Sequence, residues 1–434
     1  MSIPNPSLHL LSRKIIFSTL VQYIGRIAQI VLAALTIKLV TNFLSVNNYG
    51  VYATISEYAL FFSVAANLGI FATTVRQMSV NPTDGKTFIN ALYLRIITAV
   101  IIFAVGITWL LITGSSTLFI IWTAIFFWVL LLDFMTSVCD GMLQANYLMG
   151  RATLALVLGR VISLIALYLI IRYTDTTTMS DFSAVMIIFA SLVAGSLAIF
   201  LLSFYFVARR IHLNWTIDRD FMWSIFRTGL LFGIINVINS LYFRFLPDYF
   251  SHLALTSAEF AIFNISFRIS QIMSLLSTFL MFSALPGLRE YIADKHWQKL
   301  RKLYSKIVLV LGSAGIGLIV FGSLLGPTVI KLVTNEWYLL PEFWFILPLM
   351  LVLAAISYGY DLILITLFAF DKNRWLLSRE CIAISVAMIF FVASLFVDNT
   401  QLRIVLVIGG AIAGEGTMVV TWLWKIKKIM RALD

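Results

Sequence analysis

Arg26 and Arg268 are the residues of this sequence with the most chemistry to explain. Each sits deep in a long apolar stretch, where a charged side chain persists only beside a partner or water. Each also belongs to a polar stripe. Gln22, Arg26, Gln29, Ala33 and Thr36 recur at helical spacing, and so do Asn264, Arg268, Gln271 and Thr278, with Ser274 close by. A fixed cation at mid-depth attracts an anion, and the planar fork of arginine suits phosphate oxygens. The competing reading of Arg26 is a structural tie to a carboxylate such as Asp133. Asn236 and Asn239, with Ser240 nearby, could hydrogen-bond a sugar or head group, or could pack closely between helices. The candidate substrate-binding set is therefore Arg26, Arg268, Gln22, Gln29, Asn236, Asn239, Asn264 and Gln271. Four deep carboxylates, Glu57, Asp133, Asp361 and Glu415, are candidates for ion coupling or for charge pairing.

Other chemistry is not expected. His9, His212, His252 and His296 have no ligand spacing, and Cys139 and Cys381 are far apart, so no metal site, disulfide framework or cofactor is predicted. There is no Walker motif and no nucleophile constellation. Arg95 and Lys306 start near the ends of their spans and are expected to snorkel to the interface, as are Lys38 and Arg244. Arg160, about two turns into its span, is harder to place.

The elements that must position these residues are membrane helices. The chain has 434 residues, 61% of them hydrophobic and 12% charged, more apolar surface than a soluble domain can hide. Stretches of roughly 20 apolar residues follow one another from end to end, which predicts an all-α polytopic membrane protein. Twelve spans are expected, at 14–44, 48–72, 86–113, 117–144, 151–173, 181–207, 221–246, 257–288, 302–326, 340–370, 375–397 and 402–426. The basic residues gather on one set of span ends, including Arg13, Lys14, Arg209, Arg210, Arg301, Lys302, Lys427 and Lys428. That asymmetry places both termini in the cytoplasm. The net charge of +11 is then a matter of topology, not of nucleic-acid binding. Tryptophans such as Trp215, Trp223, Trp297, Trp375, Trp422 and Trp424 near span ends suit the interface. Gly25, Pro286 and Pro348 are candidate bend points.

The chain also repeats itself. NNYGVYATISEYA at 47–59 aligns with SAEFAIFNISFRI at 257–269, and ALYLRII at 91–97 with KLYSKIV at 302–308, apart from one-residue shifts at the margins, at an offset of 211. Tyr49 and Tyr52 meet Phe260 and Phe263, while Glu57 meets Arg268. The expected organisation is a six-helix bundle at 1–207, a cytoplasmic linker at 208–220 and a second bundle at 221–434. Parallel repeats of this kind imply a pseudo-twofold axis along the membrane normal and a central cavity. The charge reversal at 57 and 268 then suggests that the duplicated helices have taken different tasks.

NNYGVYATISEYALFFSVAANLGI at 47–70 resembles a Tyr-Gly-x-Tyr start to helix two ending in Leu-Gly-aliphatic, and GMLQANYLMGRATLALVLGRV at 141–161 resembles a Leu-Gln…Arg segment between helices four and five. Both patterns are similar to those of oligosaccharide flippases, the Wzx-like polysaccharide-biosynthesis branch of the MOP exporter superfamily, which includes MATE proteins. The resemblance implies a flippase that moves an undecaprenyl-diphosphate-linked O-antigen, capsule or exopolysaccharide unit across the bacterial cytoplasmic membrane by alternating access. Arg26 and Arg268 would contact the diphosphate. It implies the lipid-linked oligosaccharide and membrane lipids as partners, with polysaccharide polymerase machinery as a further one, and no enzymatic role. Lipid II flippases look similar, but this chain offers Glu57 on helix two and lacks their extra helix pair. Ala261 also stands where a glycine is usual in the second repeat. The main rival is an ion-coupled multidrug exporter, which should place acids on helix one. Span 1 carries Arg26 and Lys38 and no acid. A membrane scaffold would lack the buried polar stripes, and a membrane glycosyltransferase or ligase would need a large catalytic loop.

Overall fold

The computed structural model describes residues 6–431 except 68, 69, 81, 82, 147, 174–180, 241–245, 295, 336, 337, 339, 340 and 370–372. Within the helices some side chains also lie outside the described residues, among them those of Gln22, Arg26, Asn236, Asn239, Thr278 and Pro286. Among the described residues there are fourteen α-helices and no strand. They are α1 Pro6–Phe43, α2 Val46–Asn67, α3 Ile70–Val80, α4 Gly85–Ile112, α5 Thr117–Ala145, α6 Met149–Tyr173 and α7 Asp181–Ala208. Then follow α8 Arg219–Ser240, α9 Leu246–Ala254, α10 Ser257–Ala293, α11 Trp297–Val333, α12 Ile346–Ala369, α13 Asn373–Ser394 and α14 Thr400–Arg431. Seven of these regions, in α4, α5, α6, α7, α11, α12 and α14, are long and apolar enough to cross a membrane, counted among the described residues. Their outward faces carry large exposed apolar side chains, such as Val100, Ile101 and Val105 on α4 or Leu309, Ile316 and Leu324 on α11. Such faces are stable against acyl chains and unstable in water.

The chain divides into two compact units, Met1–Val237 and Ile238–Asp434. The sequence places the joint at 208–220, and the compact grouping runs further, into α8. The reason is local. The connecting segment 209–218 folds back onto the start of α4. Asp84 caps that helix through the N–H groups of Lys86 (3.0 Å) and Thr87 (3.2 Å). Asn90 Nδ2 donates to the Thr216 carbonyl (2.9 Å), and the Asp218 N–H donates to Asn90 Oδ1 (2.7 Å). Lys86 Nζ reaches Asp218 Oδ2 at 2.8 Å, while Asp218 Oδ1 accepts from the Phe221 N–H that opens α8 (2.9 Å). Ile225 of α8 then packs with Ile70 and Leu94. Gly85 is required at this crossing, because a Cβ there would fall 1.8 Å from the His212 carbonyl oxygen.

In the first unit α6 packs on α7 and α1, α5 on α7 and α4, and α2 on α4 and α5. The α6–α7 crossing is made of small residues: a Cβ on Gly195 would lie 2.4 Å from Ser163 Cβ, and Ser163 Oγ donates to the Ser191 carbonyl (3.0 Å). Gly25 serves the same purpose between α1 and α6, where its Cβ would meet Thr153 Cγ2 at 1.9 Å. It lies within continuous helix, where this close approach requires glycine. In the second unit α13 packs on α14, and α12 on α10, α11 and α14.

The repeat shows in the helix starts. α10 begins 211 residues after α2 (257 − 46). The aromatic pairs of the two motifs are equivalent in burial as well as in sequence. Tyr49 and Tyr52 are buried with ring centroids 5.6 Å apart, and Phe260 and Phe263 are buried at 6.3 Å. Tyr52 also packs on Phe189 of α7 at 5.4 Å, so this conspicuous motif builds core.

Candidate functional site

In the first unit, α1 turns an exposed apolar stripe, Ile24, Ile27, Val31 and Leu35, to one side. Its polar stripe lies on the opposite face, where the described members Gln29 and Thr36 are half-buried. The side chains of Gln22 and Arg26 lie outside the described residues. Glu57 on α2 is buried to 6% exposure. Asp133 on α5 accepts a hydrogen bond from Ser196 Oγ of α7 (2.9 Å), and the charge that acts on it is Arg160 of α6.

Arg95 departs from expectation. It does not reach the interface; it is 1% exposed, with its guanidinium 5.4 Å from the centroid of the Phe134 ring. Position near a span end permits snorkelling, and a neighbouring aromatic face draws the group inward instead. Lys306 is exposed, as a snorkelling lysine should be. Among the tryptophans, Trp215, Trp223 and Trp424 are exposed, whereas Trp422 is 1% exposed and donates from Nε1 to Tyr304 Oη (3.0 Å).

In the second unit, Arg268 is half-buried on α10, and its Nε donates to Oδ1 of the fully buried Asn264 at 2.8 Å. The i, i+4 spacing read from sequence therefore joins the two side chains directly. Gln271, one turn on, is half-buried. The side chains of Asn236 and Asn239 lie outside the described residues.

The second unit also gathers carboxylates around α12. Asp361 accepts a short hydrogen bond from Ser277 Oγ of α10. Glu415 of α14 accepts from Ser357 Oγ (2.6 Å), and its charge and that of Asp361 act on each other. Glu380 of α13, 1% exposed, accepts from Tyr360 Oη (2.8 Å). Sequence reading took Asp361 and Glu415 and missed Glu380. It lies beside Arg379, within two turns of the start of α13. The tyrosine twenty residues earlier carries no signal that the two helices bring them together. Asp361 and Glu415 thus share a neighbourhood, while Glu57 and Asp133 belong to the other unit. No group of three metal-ligating side chains occurs among the described residues.

A profile of the family described as polysaccharide biosynthesis protein matches residues 11–291. The chain belongs to that family. This polysaccharide biosynthesis protein matches no curated protein in sequence. Its fold is shared with solved membrane transporters. An inward-facing multidrug resistance MATE family transporter of the MOP superfamily superposes with a TM-score of 0.72 and 16% identity, covering 93% of this chain and 95% of that one. An outward-facing MATE structure gives 0.63 and 16%, covering 97% and 96%. A MOP superfamily transporter from Pyrococcus furiosus, described as having a binding pocket of reverse polarity that suggests a different function, gives 0.57 and 16%, covering 98% and 95%. At these identities the likeness is one of fold. The chain is a multi-pass membrane protein with a transporter fold.

Proposed function

We propose that the protein is a flippase that carries an undecaprenyl-diphosphate-linked oligosaccharide, an O-antigen, capsule or exopolysaccharide unit, across the bacterial cytoplasmic membrane by alternating access. Both termini are cytoplasmic in this reading, and 1–207 and 221–434 are the repeated halves. The observation that carries it is Arg268, a cation deep in a span of a polysaccharide-family protein, oriented by a buried asparagine. The planar fork of arginine suits two-point contact with phosphate. Arg26, Gln22, Gln29, Asn264 and Gln271 complete the binding set, with Asn236 and Asn239 toward the sugar. Glu57, Asp133, Asp361 and Glu415 provide ion coupling or charge balance.

The test is native mass spectrometry of protein extracted gently from its own membranes, beside an Arg26→Ala/Arg268→Ala variant. A polyprenyl-diphosphate glycan retained by the parent and lost from the variant is expected, and its mass identifies the sugar. Equal retention of bulk phospholipid alone by both forms counts against the reading. Ion-coupled multidrug export is the second reading, favoured by the buried carboxylates around α12. It would show as proton- or sodium-driven cation efflux that the arginine variant leaves intact.

A further inference from the structure

Arg160 has a position that the binding set above does not use. It lies eleven residues past Met149, the start of α6, or about 16 Å along the helix axis at 1.5 Å per residue. That is mid-depth, and yet the side chain is exposed. The direction of this exposure is informative. Leu154, Leu158, Ile162, Ile165 and Leu169 form the exposed apolar stripe of α6. At 100° per residue, Arg160 lies about 180° around the helix from the middle of that stripe.

The faces between are occupied. Gly159 and Ser163 meet α7, at Ile199 and Gly195, while Gly150 and Thr153 meet α1, at Val21 and Gly25. Arg160 therefore opens between the α1 and α7 contacts, on the inner side of its own unit. A charged group avoids acyl chains, so an exposed arginine on this side requires water around it. It has no ion pair among the described residues. Asp133 acts on it through its charge, and Ser196 holds Asp133 in place. The arrangement is an exposed cation near a carboxylate, with its hydrogen-bonding fork available.

We infer that Arg160 binds an anionic oxygen of the cargo. The inference rests on the flippase reading for its cargo. The shared chemistry is a phosphate of the lipid diphosphate or the carboxylate of an acidic sugar.

The experiment is equilibrium binding to the full-length protein in detergent, with farnesyl diphosphate, farnesol and glucuronate as probes. Arg160→Gln should weaken farnesyl diphosphate or glucuronate about tenfold or more and leave farnesol unchanged. Arg160→Lys should fall between. The anion that responds identifies the source. Asp133→Asn/Arg160→Gln keeps the local charge balanced, and the same loss in that variant, at an unchanged melting temperature, removes misfolding as the cause.

Farnesyl diphosphate and glucuronate binding that Arg160→Gln leaves unchanged would overturn the site and spare the flippase reading. Glucuronate lost in Arg160→Gln, with no diphosphate bound by the parent, would keep the site and overturn the diphosphate cargo. Neither anion bound by the parent would overturn both.

Discussion

Asn264 fixes one edge of the Arg268 guanidinium, and this contact sets what each substitution should do. Lysine keeps the charge but loses the fork, so Arg268→Lys should weaken retention of the lipid-linked cargo about tenfold. Asn264→Ala should weaken it less, because the charge stays and only its direction is lost. Cargo retained per folded protein in the mass spectrum measures both. If Glu57 and Arg268 have divided their tasks, Glu57→Gln and Arg268→Gln should differ in cargo retention; identical defects would end that idea. Asp218 gives the prediction for pH. The hydrogen bond from Lys86, and then the Phe221 N–H, hold its carboxyl below the usual carboxylate range. A depressed value means that the ionised form is the one favoured by folding. Its contribution is complete above the unfolded value and is lost as pH falls through the folded one. The gap in melting temperature between the parent and Asp218→Asn should therefore be flat from pH 5 to 8 and close below about pH 4. At this scale the sequence was legible where two polar residues lie one turn apart, as for Asn264 and Arg268. It was not legible where the partner comes from another helix, as for Phe134 over Arg95 or Tyr360 on Glu380.

Helix ends followed the sequence closely where a capping residue or short turn sets them. Spans expected at 86–113 and 117–144 appear as α4 Gly85–Ile112 and α5 Thr117–Ala145, between Asp84 and Ser116 as caps. The span expected at 302–326 appears as α11 Trp297–Val333, because hydropathy marks the thickness of the bilayer and a helix continues through its charged ends. Lys299 and Arg301 are helical, though outside the expected span. Glycines show the same division between pattern and packing. At Gly159 a Cβ would meet Ile199 Cγ1 at 2.1 Å and the Gly195 carbonyl oxygen at 3.0 Å. Gly159→Ala should therefore destabilise by about 1–3 kcal/mol. At Gly312 a Cβ would meet nothing within 4 Å, so Gly312→Ala should be neutral or stabilise by up to about 1 kcal/mol. Thermal unfolding of the two variants in detergent measures the contrast, and equal shifts would count against the α6–α7 close approach.

The 211-residue offset made the duplication legible from sequence, but not the compact boundary, since the fold-back of 209–218 depends on Asn90 and Lys86 far upstream. The side of the membrane is testable for the whole molecule. α4 is 28 residues long, about 42 Å, so its two ends emerge on opposite faces. In a protein with Cys139 and Cys381 replaced by alanine, Asn214→Cys should be protected from an impermeant thiol reagent in intact cells, and Thr117→Cys should react. The reverse pattern would invert the proposed orientation. The fold-back also bears on synthesis. Asn90 and Lys86 meet Thr216 and Asp218 only after more than a hundred further residues have been made. Domains usually complete themselves in order as the chain emerges from the ribosome. Here the first unit cannot close its α4 terminus until translation has passed into α8, so its earliest helices wait on its last.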